Sequence, residues 1–206
     1  MSVKFEGAPD IVKQLQKLET GGEKAITRTV SDFASRAPAW VSKGIREHYG
    51  VDTAAIKDAA KKPKRGRSAP SFKVAGKIVD GAVLPYEGKP LTPIHFKMSP
   101  TTINPKGMTL NRNGHAIPKK YTVKATIFKG KRASFAPGTY LAPAGKNSET
   151  IIPFQREGDE RKPVHSIHTV SVPQMVDNKE TRARINELIN ENIQKRFEHH
   201  MKQVTK

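Results

Sequence analysis

Residues 121–128 read YTVKATIF, and this stretch decides the fold class of the chain. Its apolar residues Tyr121, Val123, Ala125 and Ile127 alternate with threonine or lysine. Alternation with a period of two predicts a β-strand that turns one face toward a core. We therefore expect the middle of the chain to form a β-sheet, with this strand in its interior.

The neighbouring sequence predicts further short strands on both sides. They lie at residues 91–98, 140–141, 150–154 and 164–172. Asn113-Gly114 suits a type I′ hairpin turn, and residues 157–160 are expected to form a second hairpin tip. Pro173 is expected to end the last strand. Together these segments predict one small antiparallel sheet of about four to five strands.

Helices are predicted before the sheet. They cover residues 9–18, 23–48 and 53–61. Gly21-Gly22 should separate the first two, and Pro38 should kink or split the second. Asp52 is placed to cap the third helix, because its short carboxylate side chain can accept a hydrogen bond from the first turn.

A last, long helix is predicted at residues 178–204. Its apolar stripe, at spacings of three and four, consists of Ile185, Leu188, Ile189, Ile193, Phe197 and Met201. We expect this stripe to pack the helix on the sheet. The order of helices, sheet and helix predicts an α+β fold in a single domain over residues 1–206. Its parts are a helical region (1–60), a basic loop or arm (61–77), a β region (78–172) and the C-terminal helix (173–206).

The charge of the chain is large and unevenly distributed. The chain has 37 Lys and Arg against 19 Asp and Glu, a net charge of +18. Residues 59–148 hold 18 of the basic residues but only two acids, Asp80 and Glu87. Basic residues without local counter-charge repel one another unless something anionic faces them. Nucleic acid, an acidic partner and plain solvent are the alternatives.

The composition excludes several classes of chemistry. Cysteine is absent, so the chain has no disulfide, no thiolate metal site and no cysteine nucleophile. The first residues, MSVKFEGAPD, lack an apolar stretch, so neither a signal peptide nor a transmembrane helix is predicted. We therefore expect the protein in a cytoplasm, or assembled there into something larger.

The histidines and acids do not form a recognisable catalytic or metal motif. His165 and His168 should point to opposite faces of a strand, and the neighbours His199 and His200 are about 100° apart on a helix. Acids are scarce in the β region, where a cleft would lie. We predict no catalytic, cofactor-binding or metal-binding residue and no enzyme activity. A serine nucleophile with a histidine partner, or another unrecognised site, stays an alternative.

Five segments carry a resemblance to a known family. In chain order they are YGVDTAAIK (49–57), TVKATIFKG (122–130), IPFQREG (152–158), RKPVHSIHTVSVPQM (161–175) and RFEHHMK (196–202). The pattern resembles the prophage minor tail protein Z family and, more loosely, the tail-completion and neck proteins of long-tailed phages. The most telling part is the succession F-x-R-x-G, R-x-P-V and V-P-x-M, followed by the C-terminal helix.

The resemblance implies a structural subunit of a phage virion, assembled in the host cytoplasm. Such a subunit forms a ring, expected to be six-fold, at the head-proximal end of the tail tube or in the neck. Its role is tail completion and head–tail joining, without enzyme activity, cofactor or membrane. The implied partners are other copies of the chain, a tail terminator or tail tube protein, and head–tail connector or adaptor proteins. Genomic DNA passing through the ring would meet lysines on its inner face.

Eight basic residues are the candidate contacts with DNA phosphates or with a neighbouring subunit. They are Lys61, Lys62, Lys64, Arg65, Arg67, Lys129, Lys131 and Arg132. The alternative function is a cytoplasmic nucleic-acid-binding protein without sequence specificity. In both cases phosphate contacts are expected instead of contacts with base edges.

Overall fold

A computed structural model describes residues 8–61, 64–65, 71–74, 77–80, 82–146, 148–158 and 163–204. Within these, side chains are described for residues 21–61, 83–146, 148–158 and 163–204. The helices are α1 (Ala8–His48), α2 (Thr53–Ala59), a 3-10 helix (Pro93–Phe96), α3 (Val172–Asp177) and α4 (Lys179–Val204). In the part of the chain that is described, no helix is long and apolar enough to span a bilayer.

The strands are short and all their pairings are antiparallel. They are β1 (Lys64–Arg65), β2 (Ser71–Val74), β3 (Lys77–Asp80), β4 (Ala82–Val83), β5 (Met108–Leu110), β6 (Ala116–Pro118), β7 (Lys124–Ala125), β8 (Ala133–Ser134), β9 (Tyr140–Pro143), β10 (Ile151–Arg156) and β11 (Val164–Ser166). Strands β11, β10 and β9 form one three-stranded sheet in that order. The remaining strands pair as β1–β4, β2–β3, β5–β6 and β7–β8.

The mixed α+β class is confirmed, but the prediction of one sheet with four to five strands is wrong. The described strands form several small sheets, and only β10 is longer than four residues. Nine prolines lie between residues 85 and 153. Proline cannot donate to a strand ladder, and eight of the nine lie outside the strands or at a strand end, where pairing stops, whereas Pro153 lies within β10 opposite Leu141.

The chain divides into two compact units. The first consists of Met1–Val41, Ala60–Pro85 and Ala183–Lys206, and the second of Ser42–Ala59 and Tyr86–Arg182. In the first unit, buried residues of α1 such as Ala25 and Ala37 and of α4 such as Ile185 and Leu188 form the described core. In the second, the largest fully buried side chains include those of Ile45, Ile56, Phe96 and Met175.

Helix α1 is continuous, although a break at Gly21-Gly22 and a kink or a split at Pro38 were expected. It runs through Gly21-Gly22 and contains Pro38. Gly21 lies so close to Val204 of α4 that an added Cβ would collide with the Val204 side chain. This glycine therefore allows two helices to approach, and burial along the helix compensates for its low helix propensity. Burial of Ala37 and Val41, on either side of Pro38, likewise compensates for the low helix propensity of this proline.

The contacts between α1 and the C-terminal half of α4 are antiparallel. His200 Nε2 lies 3.1 Å and Arg196 Nε 3.8 Å from the Asp32 carboxylate, while Val204 meets Gly21. Ile185 and Leu188 are buried, but Phe197, further along the predicted stripe, is 36% exposed. The residues of the stripe thus change from buried to exposed along α4. The C-terminal half of α4 contacts α1, whereas the sequence analysis expected it to pack on the sheet.

Residues 91–98 do not form the predicted strand. Pro93 occupies the first turn of a 3-10 helix, which ends at Lys97 with a left-handed φ of 51°. The proline ring fixes φ near the helical value, which favours this start over an extended strand. Phe96 of this helix is fully buried. The 3-10 helix therefore supplies a core side chain.

Residues 121–125 alternate in burial as predicted, whereas Thr126 and Ile127 are both half-buried. Val123 and Ala125 are buried, whereas Lys124 is exposed. Only Lys124–Ala125 form a regular strand, since the backbone bonds go to several segments in turn. Ser99 exchanges two 2.8 Å bonds with Lys124, and the N–H of Thr126 donates to Phe96 O at 2.8 Å. The stretch is therefore not a long sheet strand; it forms backbone hydrogen bonds with several separate segments of the second unit.

Helix starts follow local capping rules. Asp52 Oδ1 accepts from the N–H of Ala55 at 2.7 Å, which confirms the predicted cap of α2. Ser171 and Gln174 form a capping box around α3, with Pro173 in its first turn. Pro173 therefore opens a helix that the sequence analysis did not predict. Asn178 Oδ1 accepts from the N–H of Glu180 and of Thr181, and caps α4.

Candidate interaction surface

The longest exposed stretch among the described residues contains a β-hairpin, and we call residues 101–120 the hairpin arm. Every residue in it is exposed except Asn104 and Asn111, which are half-buried. All six residues of its strands β5 and β6 are exposed. A two-stranded hairpin with no buried face is marginally stable in water. The arm therefore lies outside the core and is a candidate interaction surface.

Asn111 holds the turn of the arm. Its Oδ1 accepts from the N–H of Asn113 at 3.0 Å and of His115 at 2.8 Å. The N–H of Asn111 donates to His115 O, and Gly114, with a φ of 77°, donates to Asn111 O. The predicted hairpin is thus present, but its turn is a three-residue connection with a left-handed glycine and not type I′. The side chain of Asn111 stabilises this longer turn.

One face of the arm is entirely apolar along its strands. Met108 pairs with Pro118 and Leu110 with Ala116. Because residues two apart share a face, these four side chains lie together. Leu110 is 71% exposed, the highest value among the large apolar residues. An apolar face of this kind is typical of an interaction site.

Basic residues surround this apolar face. Lys106, Arg112, Lys119 and Lys120 are all exposed. No acid occurs anywhere between residues 88 and 148, so these charges have no acidic neighbour in sequence. The arm can therefore attract an anionic surface and then bury apolar groups against it.

A second exposed feature is the basic turn, residues 128–132. Lys129, Lys131 and Arg132 are exposed beside Phe128, whose ring is 52% exposed and lies 5.3 Å from the ring of Tyr49. Lys131 closes the turn by donating its N–H to Phe128 O at 3.1 Å. The structure therefore brings together three of the predicted contact residues around an aromatic ring. Such a ring among cations can stack on a base or on an apolar partner.

The base of this turn is fixed to the end of α1. The N–H of Lys129 donates to His48 O at 2.8 Å, and the N–H of Gly50 donates to Ile127 O at 2.9 Å. Gly50 approaches the backbone of Thr126 so closely that a Cβ there would collide with the Thr126 carbonyl. Burial, and to a lesser extent the charge of Glu180, raise the pKa of the Tyr49 phenol above its usual value. The two backbone hydrogen bonds and the close approach of Gly50 therefore hold the base of the turn against the end of α1.

The other predicted contacts lie in the first unit or outside the described residues. Lys61 is exposed, and its N–H donates to Pro85 O at 3.0 Å. Lys64 and Arg65 form β1 and pair with β4, so the predicted loop over 61–77 contains regular backbone pairing. Lys62 and Arg67 lie outside the described residues.

Histidines of the described chain make pairwise contacts with acids. His95 Nδ1 lies 3.0 Å from Asp52 Oδ2, and His165 Nε2 lies 2.7 Å from Glu157 Oε1. The first pair joins the start of α2 to the 3-10 helix. No group of three or more metal-ligating side chains occurs among the residues that the structure describes. These histidines thus have a structural use in linking elements.

Sequence analysis identified the basic turn through its lysines, with Phe128 among them, but did not predict the exposure of Phe128 or the apolar face of the arm. Phe128 ends a stretch that alternates like a strand, and within residues 107–118 the sequence analysis used only the turn signal Asn113-Gly114. The signal in the sequence was the alternation of Met108 and Leu110, followed by a turn and then Ala116 and Pro118. Comparison of the chain with protein-family models, with curated proteins and with solved structures gives no match.

Proposed function

We propose that the chain is a non-catalytic assembly protein, namely a tail-completion or neck subunit of a long-tailed phage. In this proposal it forms a ring, six-fold by the sequence resemblance, at the head-proximal end of the tail tube and joins tail to head. The observation that carries the proposal is the hairpin arm. Its strands are exposed on both faces, and Leu110 and Met108 have large exposed surfaces.

An arm of this kind supports assembly for an energetic reason. Burying apolar surface contributes about 25 cal/mol per Å², so exposed Leu and Met side chains gain stability as soon as a second chain covers them. An unpaired hairpin also exposes strand edges that promote association. An arm that is covered only in an assembly accounts for both the exposed apolar side chains and the exposed strand edges.

The charge distribution fits a ring around DNA. Lys129, Lys131 and Arg132 are exposed on one rigid turn. Such residues on the inner face of a ring would meet the phosphates of a passing genome, while the arm would reach a neighbouring subunit. The other partners in this proposal are a tail terminator or tail tube protein and a connector or adaptor protein.

Light scattering and electron microscopy of the purified protein test the proposal. We expect a species several times heavier than the 22.8 kDa chain, with ring-shaped particles, and association with tail or neck proteins. A protein that stays monomeric at high concentration and binds neither tail nor neck proteins would refute it.

A second candidate function is non-sequence-specific binding of nucleic acid in the cytoplasm. It is favoured by the exposure of Phe128 between basic residues of the turn. A salt titration distinguishes this candidate. Tight binding to free DNA that weakens with a log–log slope of several units supports it, because each phosphate contact releases a counterion. Weak DNA binding together with tight binding to a tail protein supports the assembly function.

A further inference from the structure

The tip of the hairpin arm contains the only Asn-Gly pair in the sequence, Asn113-Gly114. In such a pair the backbone nitrogen of glycine can attack the carbonyl carbon of the asparagine side chain, because no Cβ on the glycine hinders the approach. Every other asparagine is followed by a residue with a side chain. This pair is therefore the place in the chain where a five-membered succinimide ring forms with the least steric hindrance.

The side chain of Asn113 is free for this reaction. Asn113 and Gly114 are both exposed, and no atom of a non-adjacent residue lies within 4 Å of the place where a Cβ on Gly114 would sit. The amide group of Asn113 makes no hydrogen bond with any residue that the structure describes. In contrast, Oδ1 of Asn111 and Oδ1 of Asn178 each accept two backbone hydrogen bonds. Asn113 therefore differs from its neighbour in the arm in having a mobile, accessible amide.

The asparagines of α4 provide the opposite case. Asn186, Asn190 and Asn192 all lie within this helix. Helical backbone angles keep the next backbone nitrogen away from the side-chain carbonyl, and the N–H of that nitrogen is bonded to the preceding turn. These three residues are therefore internal references against which a reaction at Asn113 can be measured.

One contact within the arm opposes the reaction. The N–H of Gly114 donates to Asn111 O at 3.0 Å, and this nitrogen must lose its proton before it can attack. Asn111 Oδ1 holds the same turn through the N–H groups of Asn113 and His115. The turn must therefore open first. A two-stranded hairpin without a buried face is marginally stable in water, so this local opening costs little free energy.

We propose that Asn113 is a site of spontaneous deamidation and that Asn111 slows the reaction by holding the turn closed. When the turn opens, hydroxide removes the proton from the nitrogen of Gly114, and this nitrogen forms a bond with Cγ of Asn113. The bond between Cγ and Nδ2 then breaks, and Nδ2 takes up a proton from water and leaves as ammonia. One water molecule opens the succinimide at either carbonyl, which gives aspartate or isoaspartate. The reaction consumes only water.

Either product changes the tip of the arm. The new carboxylate is the first acid between residues 88 and 148, and it adjoins the exposed Arg112 in sequence. Isoaspartate also adds one atom to the backbone of the turn. This extra atom disturbs the adjacent pairing of Leu110 with Ala116, at the tip end of β5 and β6. Deamidation therefore alters both the charge and the backbone of the candidate interaction surface.

Peptide mapping of the aged full-length chain tests the proposal. The purified protein is incubated at mildly alkaline pH, and a lysine-specific protease then yields residues 107–119 and residues 180–195 in one digest. The first peptide contains Asn113, and the second contains all three reference asparagines of α4. Fragmentation in the mass spectrometer assigns the modified residue and separates aspartate from isoaspartate.

We expect Asn113 to lose its amide at least about tenfold faster than any asparagine in the α4 peptide, because glycine leaves the attack unhindered and the helix prevents it. Ammonia should be released in an equal amount. The variant Asn113→Gln should lose this rapid ammonia release, since its carbonyl carbon is one methylene further from the nitrogen of Gly114. A rate at Asn113 no higher than in the α4 peptide would overturn the proposal.

A second variant tests the part of Asn111. Asn111→Ala removes the acceptor of two hydrogen bonds and should accelerate the loss at Asn113 about fivefold or more, because one such bond shifts an opening equilibrium by about that factor. Asn186→Ala is the matched control, since it removes an exposed asparagine outside the arm and should leave the rate at Asn113 unchanged. Unchanged rates in the α4 peptide show that the rest of the chain stays folded. Equal rates at Asn113 in Asn111→Ala and the wild type would overturn the part of Asn111.

The same measurement bears on the covering of the arm, and this last step rests on the proposed function. An arm that a neighbouring subunit covers cannot open freely, so an assembled chain should lose the Asn113 amide more slowly than the same chain diluted to the monomer. Equal rates in both states would refute the covering of the arm while the modification site stands. A slow reaction in the monomer itself would refute the modification site and leave the proposed function standing.

Discussion

Replacement of Gly50 by alanine should loosen the base of the basic turn. Gly50 lies where the chain leaves α1 and donates its N–H to Ile127 O at 2.9 Å. A Cβ at this position would collide with the carbonyl oxygen of Thr126 and lie 3.2 Å from its carbonyl carbon. Both are backbone atoms, so no side-chain rotation relieves the contact. The segment that carries Phe128 would have to move away from α1.

The expected cost follows from opposing contributions. Overpacking in a filled site costs about 1–3 kcal/mol, and weakening the Gly50–Ile127 hydrogen bond costs about 1 kcal/mol. Alanine also restricts the unfolded chain, which stabilises the protein by about 0.4–1 kcal/mol. The net prediction is a loss of about 1–3 kcal/mol in the free energy of unfolding.

Urea unfolding monitored by circular dichroism measures this loss. The matched control is Gly88→Ala in the same unit, where a Cβ would meet only Ala59 Cβ at 3.7 Å and Pro173 Cδ at 3.9 Å. We expect the control to change stability by less than about 0.5 kcal/mol. Trypsin should also cleave the Gly50→Ala variant faster at Lys129, because the turn is less firmly held. Equal stability of the Gly50→Ala variant and the wild type would refute the close approach described above.

Three further predictions concern the helices, the arm and a buried phenol. Asn178→Ala should lower stability by about 1 kcal/mol in urea unfolding, because it removes the N-cap of α4. Leu188→Ala should lower the free energy of unfolding by about 2–5 kcal/mol, because Leu188 is buried. Leu110→Ala should change it by less than about 0.5 kcal/mol, because Leu110 is 71% exposed. Similar losses of stability for both variants would contradict the assignment of the arm to the surface. The Tyr86 hydroxyl is buried without a hydrogen-bond partner among the described residues, and burial raises its pKa from 10.0 to about 12. Its contribution to stability should therefore be constant well below pH 10.0 and decrease as the pH rises toward 12. Tyr86→Phe should remove this part of the decrease, leaving the part due to Tyr49, and should slightly stabilise the protein at neutral pH; urea midpoints and phenolate absorbance measure both effects.

Local signals in the sequence were sufficient for the features that local chemistry determines. The cap at Asp52, the hairpin around Asn113-Gly114 and the extent of α4 all depend on residues within one or two turns of each other. Alternation of Val123 and Ala125 likewise predicted which side chains are buried. In each case the pattern and its structural cause lie in the same short segment.

The wrong predictions share a cause in tertiary structure. Gly21 interrupts a helix in isolation, but here it makes room for Val204, which is distant in sequence. Residues 121–128 have the pattern of a long strand, but their backbone bonds are divided among Gly50, the 3-10 helix, Ser99 and Phe135. Periodicity predicts which face is buried; it does not identify the segments that provide the hydrogen bonds.

The positive charge of the candidate surface was predictable from the sequence, but the exposure of its large apolar residues was not. Lysines at 129 and 131 are evident in the sequence, and their exposure follows from their charge. The exposure of Phe128 and Leu110 could not be inferred in the same way, because large apolar residues are usually buried. Their exposure depends on a turn fixed to α1 and on a hairpin that leaves the rest of its unit.

These exposed apolar residues are what separate assembly from simple attraction to phosphate. A chain that only neutralises phosphate needs cations, and additional exposed Leu or Met side chains would make it less soluble without improving that function. Here the apolar face of the arm is placed between cations in a segment that has no acids. Cations bring partners together from a distance, and apolar burial then holds them at short range. The combination of both on one hairpin is an argument for a protein partner.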